Sequence, residues 1–319
     1  RRPRRGGVHH GRLLAGMIPA NRHSLTPTPR STKTRHRVRA VPLGGPRASI
    51  DLSTGAPVAR PDASVPRTAP GVNPTQSLRA RLAGHDTLVM GILNVTPDSF
   101  SDGGAFVQRD RALDHALRMV DEGADIIDIG GESTRPGAVA ISAEEELDRV
   151  IPVIEALRGT TAVPVSIDTS KPQVMRGAVQ AGANLINDVA ALQADGAVST
   201  AVELGVPVCL MHMQGTPRTM QSAPRYADVV AEVAEFLAER ARDCLAAGMR
   251  QADILLDPGF GFGKTPAHNW RLLRELRALV DLGYPVLVGV SRKSTVAAAL
   301  GTRTEDRLIG SVTAAALAA

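Results

Sequence analysis

The sequence predicts an α/β fold, a (β/α)8 TIM barrel truncated after its seventh βα unit. Three observations carry this. From residue 88 onward a unit recurs in which a short apolar run gives way to a polar loop and then to an amphipathic stretch. The runs are continuously apolar rather than alternating, as in parallel strands covered on both faces. No glycine-rich dinucleotide turn follows the first run, and seven units within residues 88–319 fit a barrel of about 250 residues better than an open doubly wound sheet.

The strand runs are 88–95, 125–130, 163–169, 185–189, 206–213, 253–258 and 285–291. Helical periods lie between them. Residues 109–122 place Ala112, Leu113, Ala116, Leu117 and Val120 on one face. Ser142 is a candidate N-cap, with Glu145 at the capping-box position, for a helix to about Leu157. Residues 226–247 and 268–280 keep the same period. Gly123, Gly182, Gly205, Gly248 and Gly283 stand after these periods, where a helix C-terminus favours a left-handed residue. The last stretch, 310–319, is helix-forming, and no eighth strand run follows it. The reading is that the natural C-terminus is missing, which leaves the first and seventh strands of an open barrel with unpaired edges.

Composition divides the chain. Residues 1–81 hold 16 of the 37 Lys and Arg but only two acids, Asp51 and Asp62, a balance of +14 against −9 for the remainder, so the overall charge of +5 comes from this stretch and the remainder is acidic. Rich in Arg, Pro, Ser and Thr and without a clear period, residues 1–81 read as a disordered basic tail, and residues 82–319 as the barrel domain. A targeting peptide, a nucleic-acid-binding arm and translated GC-rich sequence that is not native coding sequence all produce such a composition. The last is favoured, because the chain starts with Arg and Met17 is its first methionine. Aromatic residues make up only 3%, which disfavours base-stacking nucleic-acid modules. No apolar run approaches the ~18 residues of a membrane span. Cys209 and Cys244 have no metal-ligand spacing and read as reduced thiols of a cytoplasmic protein.

A barrel collects the ends of its strands at one mouth. The runs end in Asn94, Asp128, Asp168, Asn187, His212, Asp257 and Lys293, polar residues where a strand end is commonly apolar or Gly. Any one alone is a capping group; seven together describe a site. Asp168, Asn187 and Asp257 offer acceptors and an amide donor, the mix that suits a heterocycle with an amino group, a ring N–H and a carbonyl. Lys293 suits its carbonyl oxygen or a ring nitrogen. The loop after the first run is different. Asn94 is a hard oxygen ligand suited to a cation that also holds phosphate, and Asp98, Ser99 and Asp102 follow within a turn shaped by Pro97, Gly103 and Gly104. Arg135, within 131–138, supplies the fork that matches phosphate or carboxylate.

Three features are decoys. Residues 259–265, Gly-Phe-Gly-Phe-Gly-Lys-Thr, resemble a phosphate loop, but Pro258 stands where its first glycine is required. His212 reads as a polar group lining the mouth rather than a metal ligand. Met211 and Met213 read first as core packing.

The stretches 93–104, 128–138, 166–172, 187–188, 257–264 and 289–294 together resemble the dihydropteroate synthases, the sulfonamide targets of folate biosynthesis, across about 85–319. The resemblance implies a transferase. It would join 4-aminobenzoate to 6-hydroxymethyl-7,8-dihydropterin diphosphate and release diphosphate, with Mg²⁺ as cofactor and a homodimer as the full-length assembly. It assigns catalytic roles to Asn94, Asp168, Asp257 and Lys293. It places the pterin among Asp168, Asn187, Asp257 and Lys293, with Asp128 close by and Met211 and Phe262 as walls. Asn94 falls at the magnesium and diphosphate position, and Thr134, Arg135, Pro136 and Ser291 fall at the aminobenzoate position. Diphosphate is expected to leave first. The missing eighth strand would carry a further Arg and His for it. Corrinoid-dependent pterin methyltransferases share the pocket acids but should lack the Ser133-Thr134-Arg135-Pro136 and Ser291-Arg292-Lys293 stretches present here. A pterin-binding paralogue without turnover, whether degenerate or truncated, is the other alternative. No membrane or nucleic-acid partner is expected.

Overall fold

The structure, a computed structural model, describes residues 13–17, 73–84, 86–96, 105–134, 137–291, 293 and 307–319. Eight parallel strands close a barrel in chain order. They are β1 (Leu13–Met17), β2 (Leu88–Asn94), β3 (Ile126–Gly130), β4 (Val165–Asp168), β5 (Leu185–Asp188), β6 (Val208–Met211), β7 (Ile254–Asp257) and β8 (Val286–Val288). Strands β2 to β8 fall within the seven apolar runs. β1 differs from expectation. It pairs in parallel with β2, Leu14 opposite Leu88, and with β8, Leu13 opposite Val286, so the two edges expected to be open are joined. The physical reason is the obligation of backbone groups to pair: two facing parallel edges accept a short extended segment between them. Five residues are too few to register as a period within residues 1–81.

Helices α1 (Pro74–Ala83), α2 (Ala105–Asp121), α3 (Ala143–Thr160), α4 (Pro172–Gln180), α5 (Ala197–Leu204), α6 (Val229–Ala246), α7 (Pro266–Arg274), α8 (Arg277–Val280) and α9 (Arg307–Ala318) accompany the strands. Ser142 caps α3 as expected, its hydroxyl accepting from the Glu145 N–H at 3.1 Å. The carboxylate of Glu145 pairs with Arg149 one turn on instead of returning to the cap. The five glycines expected at helix C-termini all have positive φ. The single helix expected over 268–280 is two. The chain leaves helical geometry at Glu275 (φ −106°, ψ 23°), and the new direction sets Leu276 and Leu279 into the core.

Alternation along each strand builds two cores. One face packs against the helices: Ile127, Ile129, Val165, Ile167, Ile186, Val208, Leu210, Ile254, Leu256, Val286 and Val288 are fully buried there. The other face fills the barrel with Leu88, Met90, Ile126, Leu185, Cys209, Leu255 and Leu287. Leu78 and Leu82 of α1 join this inner layer and plug the end of the barrel opposite the strand C-termini. Two ion pairs hold α1 there, Arg79 with Asp253 and Arg81 with Asp125, each at 2.7 Å. Arg79 and Arg81, part of the charge excess of residues 1–81, thus serve the barrel floor.

Truncating the plug with Leu78→Ala should cost about 2–5 kcal/mol, the range for emptying a fully buried leucine site. Urea unfolding measures this, with the exposed Gln76→Ala as control. Equal stability of the two variants would show that α1 does not close the barrel.

Candidate active site

The period of two that places an apolar layer inside the barrel also builds the site. Ile126, Leu185, Cys209 and Leu255 are inner-layer residues, and two positions further along the same strands stand Asp128, Asn187, Met211 and Asp257. Register sets them side by side on neighbouring strands: Asp168 beside Asn187 on β4 and β5, and Met211 beside Asp257 on β6 and β7. Asp128, Met211 and Asp257 are buried, while Asp168 and Asn187 are half-buried. The Asn187 amide donates to both oxygens of Asp128, at 3.4 and 3.3 Å.

Lys293 reaches the same mouth from beyond β8. Its ammonium donates to the Phe260 carbonyl and lies 4.5 Å above the Phe262 ring. Gly261 allows this crossing, since a Cβ there would stand 3.0 Å from the lysine chain. The mouth therefore holds carboxylates, one amide, one ammonium and an aromatic wall, the inventory for a flat polar heterocycle.

Charge in this space is strained by dehydration. Burial pushes Asp128 up to about 6, and Asp257 nearby adds to it, while the hydrogen bond from Asn187 opposes. Burial raises Asp168 well above the usual carboxylate range, reinforced by Asp128, Asp188, Glu146 and Glu132. Asp257 is also raised by burial, but Lys293 and the Gly259 N–H restrain it. Burial lowers Lys293 to about 8 against the pull of Asp257 and Asp168.

The remaining expected residues are more scattered. Asn94 ends β2 with its side chain exposed at the mouth. Thr134 and Ser291 are half-buried in the loops after β3 and β8. Arg135, Pro136, Arg292, Pro97, Asp98, Ser99, Asp102, Gly103 and Gly104 lie outside the described residues. His212 requires a correction: it does not line the mouth. The alternation that turns Met211 inward turns His212 into the helix layer, edge-on to Phe236 with ring centroids 5.0 Å apart. Burial and neighbouring Lys264 hold its pKa near 3, so the ring is neutral. Among the described residues no group of three or more His, Cys, Asp or Glu side chains forms a metal cluster.

Several supporting residues escaped the sequence reading. Asp188, fully buried on the outer face of β5, accepts from the N–H groups of Ala190 at 2.7 Å and Leu192 at 2.8 Å. Between and beside them Ala191 and Leu192 adopt φ of 53° and 55°, a region unfavourable to side chains. Arg240 of α6 holds their carbonyls at 2.9 and 3.1 Å. This clamp secures the turn immediately after Asn187. Lys171 bridges Glu132, in the loop that carries Thr134, to the buried Glu146 of α3. Only the Asn-Asp pair at 187–188 hinted at the clamp, because Arg240 is 48 residues or more away from its partners.

A parallel barrel with this mouth defines an enzyme class that grips a polar heterocycle at the strand C-termini. A family model described as "Pterin binding enzyme" matches residues 90–319. The dihydropteroate synthase of Haemophilus influenzae is 52% identical over 230 residues, covering 72% of this chain and 84% of that protein. The Escherichia coli dihydropteroate synthase is 53% identical over 231 residues, covering 72% and 82%. The Xanthomonas albilineans dihydropteroate synthase with 4-aminobenzoic acid superposes with a TM-score of 0.69 at 55% identity, covering 72% of this chain and 83% of that one. The same enzyme in complex with 7,8-dihydropteroate gives 0.66 at 52%, with the same coverage. The chain belongs to the pterin-binding enzymes, within the dihydropteroate synthases.

Removal of the clamp in Asp188→Ala leaves one buried and one part-buried N–H group without their acceptor. Unfolding free energy should fall by about 2–3 kcal/mol. An unchanged urea midpoint would assign the turn to Arg240 alone.

Proposed function

We propose that the chain condenses 4-aminobenzoate with 6-hydroxymethyl-7,8-dihydropterin diphosphate, giving 7,8-dihydropteroate and diphosphate. The observation that carries this is the convergence of Asp128, Asp168, Asn187, Asp257 and Lys293 on one aromatic-walled mouth. The carboxylates and the Asn187 amide bind the amino and ring-nitrogen edge of the pterin, and Lys293 meets its carbonyl or ring nitrogen. In the reaction the methylene C–O bond breaks, its electron pair leaving with diphosphate. The positive charge left on the pterin methylene is delocalised into a ring held against these carboxylates, whose ionised forms stabilise it. The amine nitrogen of 4-aminobenzoate then supplies the pair for the new C–N bond, and its proton passes to water or diphosphate. Thr134, Arg135 and Ser291 are the proposed aminobenzoate contacts.

Mg²⁺ is the proposed cofactor. The exposed Asn94 side chain fits an ion that keeps most of its waters and takes a single protein oxygen. When bound, the ion would neutralise charge on the leaving diphosphate. No helix among the described residues is long and apolar enough to cross a membrane. A homodimer is the proposed state, because α9 exposes Leu308, Ile309, Val312 and Leu317, and the cytoplasm is its proposed location. Sedimentation velocity should show a two-chain species that Ile309→Lys reduces to one chain; a wild-type monomer at every concentration would remove this proposal.

Pteroate formation from the two substrates tests the activity, and titration with pterin tests the pocket. Asp257→Ala and Lys293→Ala should each weaken pterin binding by about 1–3 kcal/mol, the range for a buried charged hydrogen-bond partner. Asn94→Ala should spare free pterin and weaken only Mg²⁺-dependent diphosphate binding. Pterin affinity should rise as pH passes 6, where Asp128 ionises and becomes a full acceptor, and fall above 8, where Lys293 loses its proton. Asp128→Asn should change the acid limb, leaving there the ionisation of Asp168, and keep the alkaline limb. Unchanged titrations in the Asp257 and Lys293 variants would place the pocket elsewhere.

A further inference from the structure

The run 259–265, which mimics a phosphate loop, is wired in the opposite sense. In a phosphate loop N–H groups converge on an anion. Here carbonyls converge on a cation. The Lys264 ammonium, 2% exposed, lies 3.0 Å from the carbonyls of Gly259 and Phe262, 3.2 Å from that of His212 and 2.9 Å from His212 Nδ1. Three N–H protons thus face four acceptors, a shell like that of a bound ammonium or potassium ion. Burial lowers Lys264 to about 7 against the pull of Asp257, so the acceptor shell serves its protonated form; toward that form the neutral His212 ring presents Nδ1 as an acceptor.

The backbones around this lysine leave no space for adjustment. Gly259 has φ of 66°, and a Cβ there would fall 1.9 Å from the His212 carbonyl oxygen. Gly263 has φ of 60°, and a Cβ there would fall 2.5 Å from the Gln214 carbonyl oxygen. The loops after β6 and β7 therefore meet backbone to backbone, with carbonyl dipoles pointing at one another around the ammonium. Outer bonds complete the frame: Asp257 accepts from the Gly259 N–H at 2.7 Å, Asn269 accepts from the Gly261 N–H at 2.8 Å, and Tyr226 donates to the Gly263 carbonyl at 2.8 Å. The loop so held presents Phe262 beneath Lys293 and the Phe260 carbonyl to its ammonium.

We propose that Lys264 is a positioning residue for the pterin pocket, a built-in monovalent cation that fixes the Phe260 and Phe262 wall and, through it, Lys293. The proposal rests on the reading of the mouth as a pterin site. It differs from a space-filling role in one respect: the charge, not the four-carbon stem, holds the carbonyls in place.

Pterin affinity is measured by calorimetry on the whole chain with 6-hydroxymethylpterin, beside circular dichroism and the thermal midpoint of each variant. Lys264→Met, which keeps the length without the charge, should weaken binding about tenfold or more, the equivalent of one charged hydrogen bond. Lys264→Ala should lose as much, and propylammonium, but not propanol, should restore it. Binding by Lys264→Met equal to wild type overturns the proposal. So does a loss in Lys264→Ala that propylammonium and propanol repair equally or that neither repairs. If both variants fail to fold, His212→Gln and His212→Leu decide. The first keeps an acceptor for the ammonium and should bind pterin more tightly than the second, and equal affinities overturn the proposal. Failure of the wild-type chain to bind pterin removes the pterin reading itself, and this inference with it, a result distinct from all the others.

Discussion

Four carboxylates, of Asp128, Asp168, Asp188 and Asp257, crowd one end of the barrel with two lysines, Lys264 and Lys293, and the surrounding structure is arranged to keep them there. Each group is dehydrated, so the charged forms of acids and lysines alike are disfavoured. What makes the cluster tolerable is its pairing. Asp257 lies near both lysines, Asp128 accepts from Asn187, and Asp188 accepts from two backbone N–H groups. The same tension makes the mouth a receptive site. A ligand that brings N–H donors to the acids and an acceptor to Lys293 meets groups whose charged forms burial disfavours.

Rigidity at the mouth is supplied by layers behind it. Closure of eight parallel strands sets the inward residues at spacings that one register determines, so no inner side chain can shift without its neighbours. Behind β5 the Asp188 and Arg240 clamp offsets the cost of two left-handed residues with two N–H and two carbonyl bonds. Behind β6 and β7 the Lys264 shell joins two loops that share no helix. Behind β3 and β4 Lys171 joins Glu132 to Glu146. Three turns around the mouth are thus each secured by a charged side chain. Loops built from backbone alone would have to satisfy those groups with water.

Much of this was legible in the chain. The seven apolar runs became β2 to β8 because a strand covered on both faces must be apolar throughout, which periodicity detects. The polar residues at their ends became the mouth because strand direction is uniform in a parallel barrel. The resemblance of the loops to one enzyme family was specific for the same reason: those loops carry the chemistry. His212 shows the limit of that reasoning. It stands at a strand end like Asp257, yet one step of the pleat turns it into the helix layer, where it serves Lys264. The Gly-Phe-Gly-Phe-Gly-Lys stretch misled in the same way, since its composition does not say whether N–H groups or carbonyls face its centre.

Sequence alone determined the fold class, the order of β2 to β8, the acidic character of the barrel and most of the residues at its mouth, because local pattern and strand direction depend only on neighbours along the chain. Tertiary structure decided the rest. It joined Leu13–Met17 between β2 and β8, seated Leu78 and Leu82 of α1 in the barrel floor, paired Asp188 with Arg240 through the turn they share, and closed three carbonyls and an imidazole around Lys264. These contacts join segments distant in sequence. Their partners are chosen by where backbone edges and dipoles are left unpaired once the barrel has closed, and no local pattern records that.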